Sequence, residues 1–256
     1  MARHAGFQGT NFFEGSAVDK PGYKQHISSE FNAELEGIRQ RVLAMGGIAE
    51  QQLTLATGAL LDLDAVRGRE ALSHGNKVNA FEVVVDDECA RILARRQPTA
   101  GDLRMVISIT RVVRDIERMG DEAEKIARMA IELSEQEQLP REVTEVSHLA
   151  RHVGELMRDA LDALARADVD LALRVAQQDQ VIDREYESVL RVCMTYMMEE
   201  PRAIRRVMSI IWASRALERI GDHAKNLAEH VIYSVEGRDV RHVSIEEMQR
   251  VINGSS

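Results

Sequence analysis

One helical phrase occurs twice in this chain, about a hundred residues apart, and it constrains the fold more than any other feature. The first copy reads Arg114-Asp-Ile-Glu117-Arg118-Met-Gly120-Asp121-Glu-Ala-Glu-Lys-Ile-Ala-Arg128. The second reads Arg215-Ala-Leu-Glu218-Arg219-Ile-Gly221-Asp222-His-Ala-Lys-Asn-Leu-Ala-Glu229. Seven of the fifteen positions are identical and three more exchange one aliphatic residue for another. The shared kernel, Glu-Arg-(Met/Ile)-Gly-Asp, puts two carboxylates at i and i+4, on one face of a helix. Its repetition predicts a duplicated helical architecture with two matching candidate sites.

The duplication extends beyond the kernel. A proline, Pro98 or Pro201, precedes each copy and follows a long helical pattern. The first pattern runs from about Asn76 to Arg96, the second from about Leu171 to Glu199. Each proline ends the helix before it and suits the first turn of the next. Upstream lie two more amphipathic stretches, roughly Ser29–Leu63 and Val146–Ala167, with Gly46, Gly47 and Gly58 weakening the former. Three helices followed by three helices, joined by short turns, predict an all-α chain of two tandem antiparallel three-helix bundles. The expected organisation is a leader over 1–25, a first repeat over 26–135, a second over 141–240 and a tail over 241–256. The polar segment Ser134–Pro140 reads as the hinge.

Composition agrees with helices. Aromatics make up 4% of the 256 residues and there are only four prolines, so a sheet is disfavoured. The net charge of −9 leaves no electrostatic footprint for nucleic acid. Cys89 and Cys193 fall in equivalent helices and read as small core residues in a reducing compartment. The longest uncharged run, Gln51 to Leu61, is too short to span a bilayer. A cytoplasmic protein without membrane insertion is expected.

Helical phase sorts the kernel residues. Ile116, Met119, Ala123, Ile126 and Ala130 line one side of the first copy, with Glu117 and Asp121 on the other. In the second copy Ala213, Leu217, Ile220, Ala224, Leu227 and Val231 form the apolar stripe. Glu218, Asp222, Asn226 and Glu229 project away from it, which predicts an exposed or half-exposed acidic face. A solvated surface with Arg118 and Arg219 as neighbours accounts for any single Glu-x-x-x-Asp. Two features favour more. Like charges at i and i+4 are mutually destabilising, and a mid-helix glycine costs about 1 kcal/mol relative to alanine. Both penalties recur in both copies. A paired oxygen donor set one turn apart suits a hard divalent cation such as Mg or Mn, or carboxylate-bound iron, and the glycine permits close approach of a backbone or ligand.

Other motifs carry less. Glu145-Val-Ser-His148 has the spacing of a di-iron bundle motif but occurs once, so a capping or surface role is expected. His223 reads as a surface histidine, and Met194, Met197 and Met198 as core. No phosphate-binding glycine loop and no catalytic triad is apparent.

The doubled kernel, the segment Cys89-Ala-Arg-Ile-Leu-Ala-Arg-Arg-Gln-Pro98 and the segment Tyr196-Met-Met-Glu-Glu-Pro-Arg202 together resemble the PhoU family, over about Gln25 to Val243. The resemblance implies an elongated six-helix protein that acts as a negative regulator of the phosphate-starvation response. It implies a cytoplasmic homodimer at the membrane periphery, placed between the ATPase subunit of the phosphate ABC transporter and a phosphate-sensing histidine kinase. It also implies surface metal ions or clusters (Mg, Mn, Fe or Zn) held by Glu117 and Asp121 in one half and by Glu218 and Asp222 in the other. Asp183 resembles a further acidic family position facing the second site. Asn79 stands at its counterpart, so the two sites are expected to be unequal. The alternative reading of the clustered carboxylates is a metal-dependent hydrolase of phosphorylated small molecules.

Overall fold

The computed structural model describes residues 24–98, 100–135 and 143–254. The expected leader lies almost wholly outside these residues, as does most of the expected hinge. The described chain is helical, with no strand. Its elements are α1 (Lys24–Asp62), α2 (Ala65–Arg96), α3 (Ala100–Ser134), α4 (Val143–Arg166), α5 (Val169–Glu199), α6 (Ile204–Glu236) and α7 (Ile245–Ile252). A single 3-10 turn at Pro201–Ala203 leads into α6.

The duplication is visible in the turns as well as in the helices. α1 ends on Leu63 and α4 on Ala167, both in the left-handed backbone region with φ of 51°. An aspartate follows each. The Asp64 carboxylate accepts from the Val66 and Arg67 amides, and the Asp168 carboxylate from the Leu171 amide. These are N-caps that satisfy otherwise orphaned donors. The cap at Asp64 starts α2 at Ala65, earlier than the Asn76 suggested by apolar spacing. Gly46 and Gly58 do not interrupt α1. At Gly46 an added Cβ would lie 2.5 Å from the Leu161 Cδ2 of α4, so the glycine permits close contact between the halves. The segment expected as a tail contains α7, capped by Ser244 and anchored by buried Met248.

α1, α2 and α3 pack on one another, as do α4, α5 and α6; α3 lies against α6 and α1 against α4. The molecule is therefore two layers. One presents α2, α3, α6 and α5 in that order, and the other holds α1 and α4. Ion pairs Glu122–Arg219 and Glu132–Arg205 run between α3 and α6. Their numbering shows the two helices to be antiparallel and related by an approximate two-fold axis. The apolar stripes expected from sequence are buried: Ile116, Met119 and Ile126 in α3, Leu217, Ile220 and Leu227 in α6. Cys89 and Cys193 are buried as expected, and burial pushes the Cys89 thiol up to about 12.

Candidate metal centres on one face

The two kernel glycines are packing devices. A Cβ on Gly120 would lie 3.3 Å from Val78 Cγ1 and 3.3 Å from Gln52 Oε1. A Cβ on Gly221 would lie 3.1 Å from Ile182 Cγ2. In each half the glycine lets the neighbouring helix approach, and Gln52 Nε2 donates to the Gly120 carbonyl at 3.0 Å. The backbone that comes close is thus α2 or α5. That approach carries acidic side chains of α2 and α5 up to the kernel carboxylates.

In the first half, Glu117 feels Asp121 of its own helix and Glu82 of α2, and Glu82 in turn feels Asp86 and Asp121. In the second half, Glu218 feels Asp222 and Asp183, and Asp222 feels Asp179 and Asp183. The kernel pairs are therefore halves of two quartets: Glu82, Asp86, Glu117 and Asp121 between α2 and α3, and Asp179, Asp183, Glu218 and Asp222 between α5 and α6. Both quartets lie on the outer face of the four-helix layer, away from α1 and α4. The sequence reading named five of these eight. It missed Glu82, Asp86 and Asp179, although Glu82-x-x-x-Asp86 and Asp179-x-x-x-Asp183 repeat the one-turn spacing. Asn79 does fill the position equivalent to Asp183, but Glu82, three residues on, supplies the first half's carboxylate.

Burial differs from the expected exposed face. Asp121, Asp183 and Asp222 are exposed and Glu117 is half-buried, but Glu218 is only 8% exposed. Its Oε1 accepts from Arg215 at 2.7 Å, while its buried Oε2 has no hydrogen-bond partner among the described residues. Desolvation, reinforced by neighbouring carboxylates, holds the carboxyls of Glu82, Glu117, Asp183, Glu218 and Asp222 above their usual pKa. Compensation is partial: Arg215 pairs with Glu218 and Lys225 with Asp179 in the second half. Among the described residues no three Asp, Glu, His or Cys side chains stand ready-assembled around one point. The donor set nevertheless fits a hard cation: oxygen ligands from two helices, mutual repulsion, and an orphaned buried oxygen.

Three expectations are corrected beside the second quartet. His223 is buried, and its Nδ1 lies 2.9 Å from Asp115 Oδ1 of α3. His230 Nε2 lies 3.1 Å from Asp115 Oδ2, and Asn226 Nδ2 donates to Oδ1 at 3.3 Å. Glu229, expected to project outward, is 6% exposed, and burial pushes its carboxyl up to about 7. α6 packs against α3 as well as α4 and α5, so its polar stripe is largely a contact face. The third correction concerns the methionines: Met194 and Met198 are exposed, Met198 at 84%, and only Met197 packs on the core. Their helix turns these two positions away from the interior line of Ile182, Val189 and Cys193. Glu145 and His148 are exposed, in keeping with the expected surface role.

This combination defines a class: a duplicated helical bundle with one carboxylate quartet per repeat on a shared face. A family model described as the PhoU domain matches residues 42–130 and 146–231. The chain is 51% identical over 238 residues, covering 93% of it and 98% of its relative, to a phosphate-specific transport system accessory protein PhoU homolog of Pseudomonas aeruginosa. It is 42% identical over 237 residues, with 93% and 98% covered, to the phosphate-specific transport system accessory protein PhoU of Escherichia coli. A crystal structure of PhoU from Pseudomonas aeruginosa superposes with a TM-score of 0.80 at 54% identity, covering 81% of this chain and all of that one. The phosphate transport system regulatory protein PhoU from Streptococcus pneumoniae gives 0.75 at 26% identity, covering 82% and 99%. The chain belongs to the PhoU family.

Proposed function

We infer that this protein is a non-enzymatic regulatory adaptor of the phosphate system. In this reading it restrains the phosphate-starvation response and phosphate uptake. It works in the cytoplasm as a homodimer, between the ATPase subunit of a phosphate ABC transporter and a phosphate-sensing histidine kinase. Divalent or iron-type metal (Mg, Mn, Fe or Zn) loads the two quartets. The observation that carries the reading is the pair of carboxylate quartets, each with carboxylates in mutual repulsion, on one face of a two-layer bundle. Relatives named as phosphate-specific transport accessory proteins supply the phosphate context.

Metal would be held by Glu117 and Asp121 with Glu82 and Asp86, and by Glu218, Asp222 and Asp183 with Asp179. Bound there, it supplies positive charge that ties α2 to α3 and α5 to α6, and turns a repulsive acidic surface into a firm one. On the second half, Trp212 (59% exposed), Met194 and Met198 offer apolar surface for a protein partner. No helix among the described residues is long and apolar enough to cross a membrane, which suits a protein that meets membrane complexes from outside the bilayer.

The test is co-purification of the transporter ATPase and the kinase with the full chain, with and without a chelator. Both partners should be retained in metal and depleted by chelation. Retention of neither in any condition contradicts the adaptor reading, and retention indifferent to chelator contradicts the role of metal in it.

A further inference from the structure

The two quartets differ in what neutralises them. In the first half, Glu82, Asp86, Glu117 and Asp121 make no hydrogen bond or ion pair with any described side chain. In the second half, Lys225 Nζ donates to Asp179 Oδ2 at 2.6 Å, and Arg215 Nη1 to Glu218 Oε1 at 2.7 Å. Asp179 is buried, so the ammonium sits against a carboxylate that water barely reaches. The difference follows from the duplication itself. Ile182 packs on Gly221 as Val78 packs on Gly120, which aligns Asp179 with Gly75, and the repeated phrase aligns Lys225 with Glu124. Where the second half has an Asp–Lys pair, the first has a glycine whose added Cβ would lie 3.2 Å from Glu124 Oε2.

We propose that Lys225 is a tethered counter-cation of the second quartet, competing with metal for Asp179 and making this the weaker of the two metal sites. The proposal rests on the metal reading given above. A cation entering between α5 and α6 must displace an ammonium already at hydrogen-bonding distance, whereas between α2 and α3 Arg114 and Arg118 act on Glu82 and Glu117 only through space, without a hydrogen bond or ion pair to displace. The displaced side chain has somewhere to go. Lys225 borders a cavity of about 700 Å³ that Arg215, Asp222 and Glu229 also line. Glu229 makes no hydrogen bond or ion pair with a described side chain, yet it already acts electrostatically on Lys225. A swing of Lys225 from Asp179 toward Glu229 gives the ammonium a second carboxyl partner while Asp179 turns to the metal. One half would thus hold metal persistently and the other would respond to metal concentration.

The test is Mn²⁺ binding to the full chain by equilibrium dialysis, with helix content followed by circular dichroism. The wild type should show two classes of site. Lys225→Gln keeps a donor for Asp179 and removes the charge; it should tighten the weaker class roughly tenfold, the order expected for removing one close, partly buried like charge, and leave the tighter class unchanged. A second comparison does not depend on that variant folding. Glu218→Ala with Asp222→Ala should leave a site that binds more tightly than the site left by Glu117→Ala with Asp121→Ala. Two equal classes in the wild type, a weaker class indifferent to Lys225→Gln, or the reverse order in the two double variants overturns the proposal and leaves the metal reading standing. Absence of any Mn²⁺ uptake overturns both.

Discussion

Asp115 accepts hydrogen bonds from His223, Asn226 and His230, all on the opposite half of the molecule. Burial alone would raise its pKa, but the histidine contacts outweigh burial and bring the carboxyl down to about 2, below the ordinary value of 3.8. Its contribution to stability is therefore complete above about pH 4 and is lost as pH falls through 2. Asp115→Ala leaves two buried imidazoles and an amide without their acceptor. It should cost about 2–4 kcal/mol in urea unfolding at pH 7; an unchanged midpoint and slope would show that the cluster contributes nothing. Glu229 has the opposite sign. Its folded pKa, about 7, lies above the ordinary 4.5, so its burial costs stability increasingly as pH rises from 4.5 through 7. Glu229→Gln should accordingly raise the melting temperature at pH 8, by the equivalent of about 1–3 kcal/mol, with most of the gain gone at pH 5. An equal gain at both pH values would contradict a titrating carboxylate. Neither residue's environment was legible in the sequence. Helical phase set Glu229 off the apolar stripe of α6, and His223 read as a surface histidine, but phase is read one helix at a time and does not register α3 lying on the polar side.

At the scale of elements, the kernel glycine sets the spacing of α3 to α2 and of α6 to α5. Gly221→Ala would ordinarily gain about 1 kcal/mol of helix propensity. Here its Cβ meets Ile182 at 3.1 Å, so the gain is cancelled or reversed by overpacking, for a net loss of up to about 2 kcal/mol. Gly154, mid-way along α4, provides the control: a Cβ there meets nothing within 4 Å, and Gly154→Ala should stabilise by about 0.5–1 kcal/mol. Thermal melts of the two variants check the contrast; two alanines with the same effect would remove the packing role of Gly221. The helix count and the boundaries near Pro98 and Pro201 were legible because proline and long apolar periodicity are strong local signals. The start of α2 was not, since the cap at Asp64 outweighs a stretch with little apolar spacing. The short α7 was missed for a related reason: eight residues hold too few turns for periodicity to stand out.

The whole molecule sets the relation between the two acidic sites. Sequence alone yields two copies of a carboxylate pair, but not the second helix that completes each, nor that both open on one face. Those facts follow from α3 packing antiparallel on α6 about an approximate two-fold axis. That packing places the α2–α3 and α5–α6 grooves side by side, with α1 and α4 behind them. Metal in these two grooves is what joins the fold to the proposed function. Anomalous diffraction from crystals of the full chain grown with Mn²⁺, measured near the manganese edge, tests it directly. A peak is expected in each groove, one bounded by Glu82, Asp86, Glu117 and Asp121 and one by Asp179, Asp183, Glu218 and Asp222, the second losing occupancy first as Mn²⁺ is lowered. Peaks elsewhere on the surface, or none in either groove at saturating Mn²⁺, would contradict it.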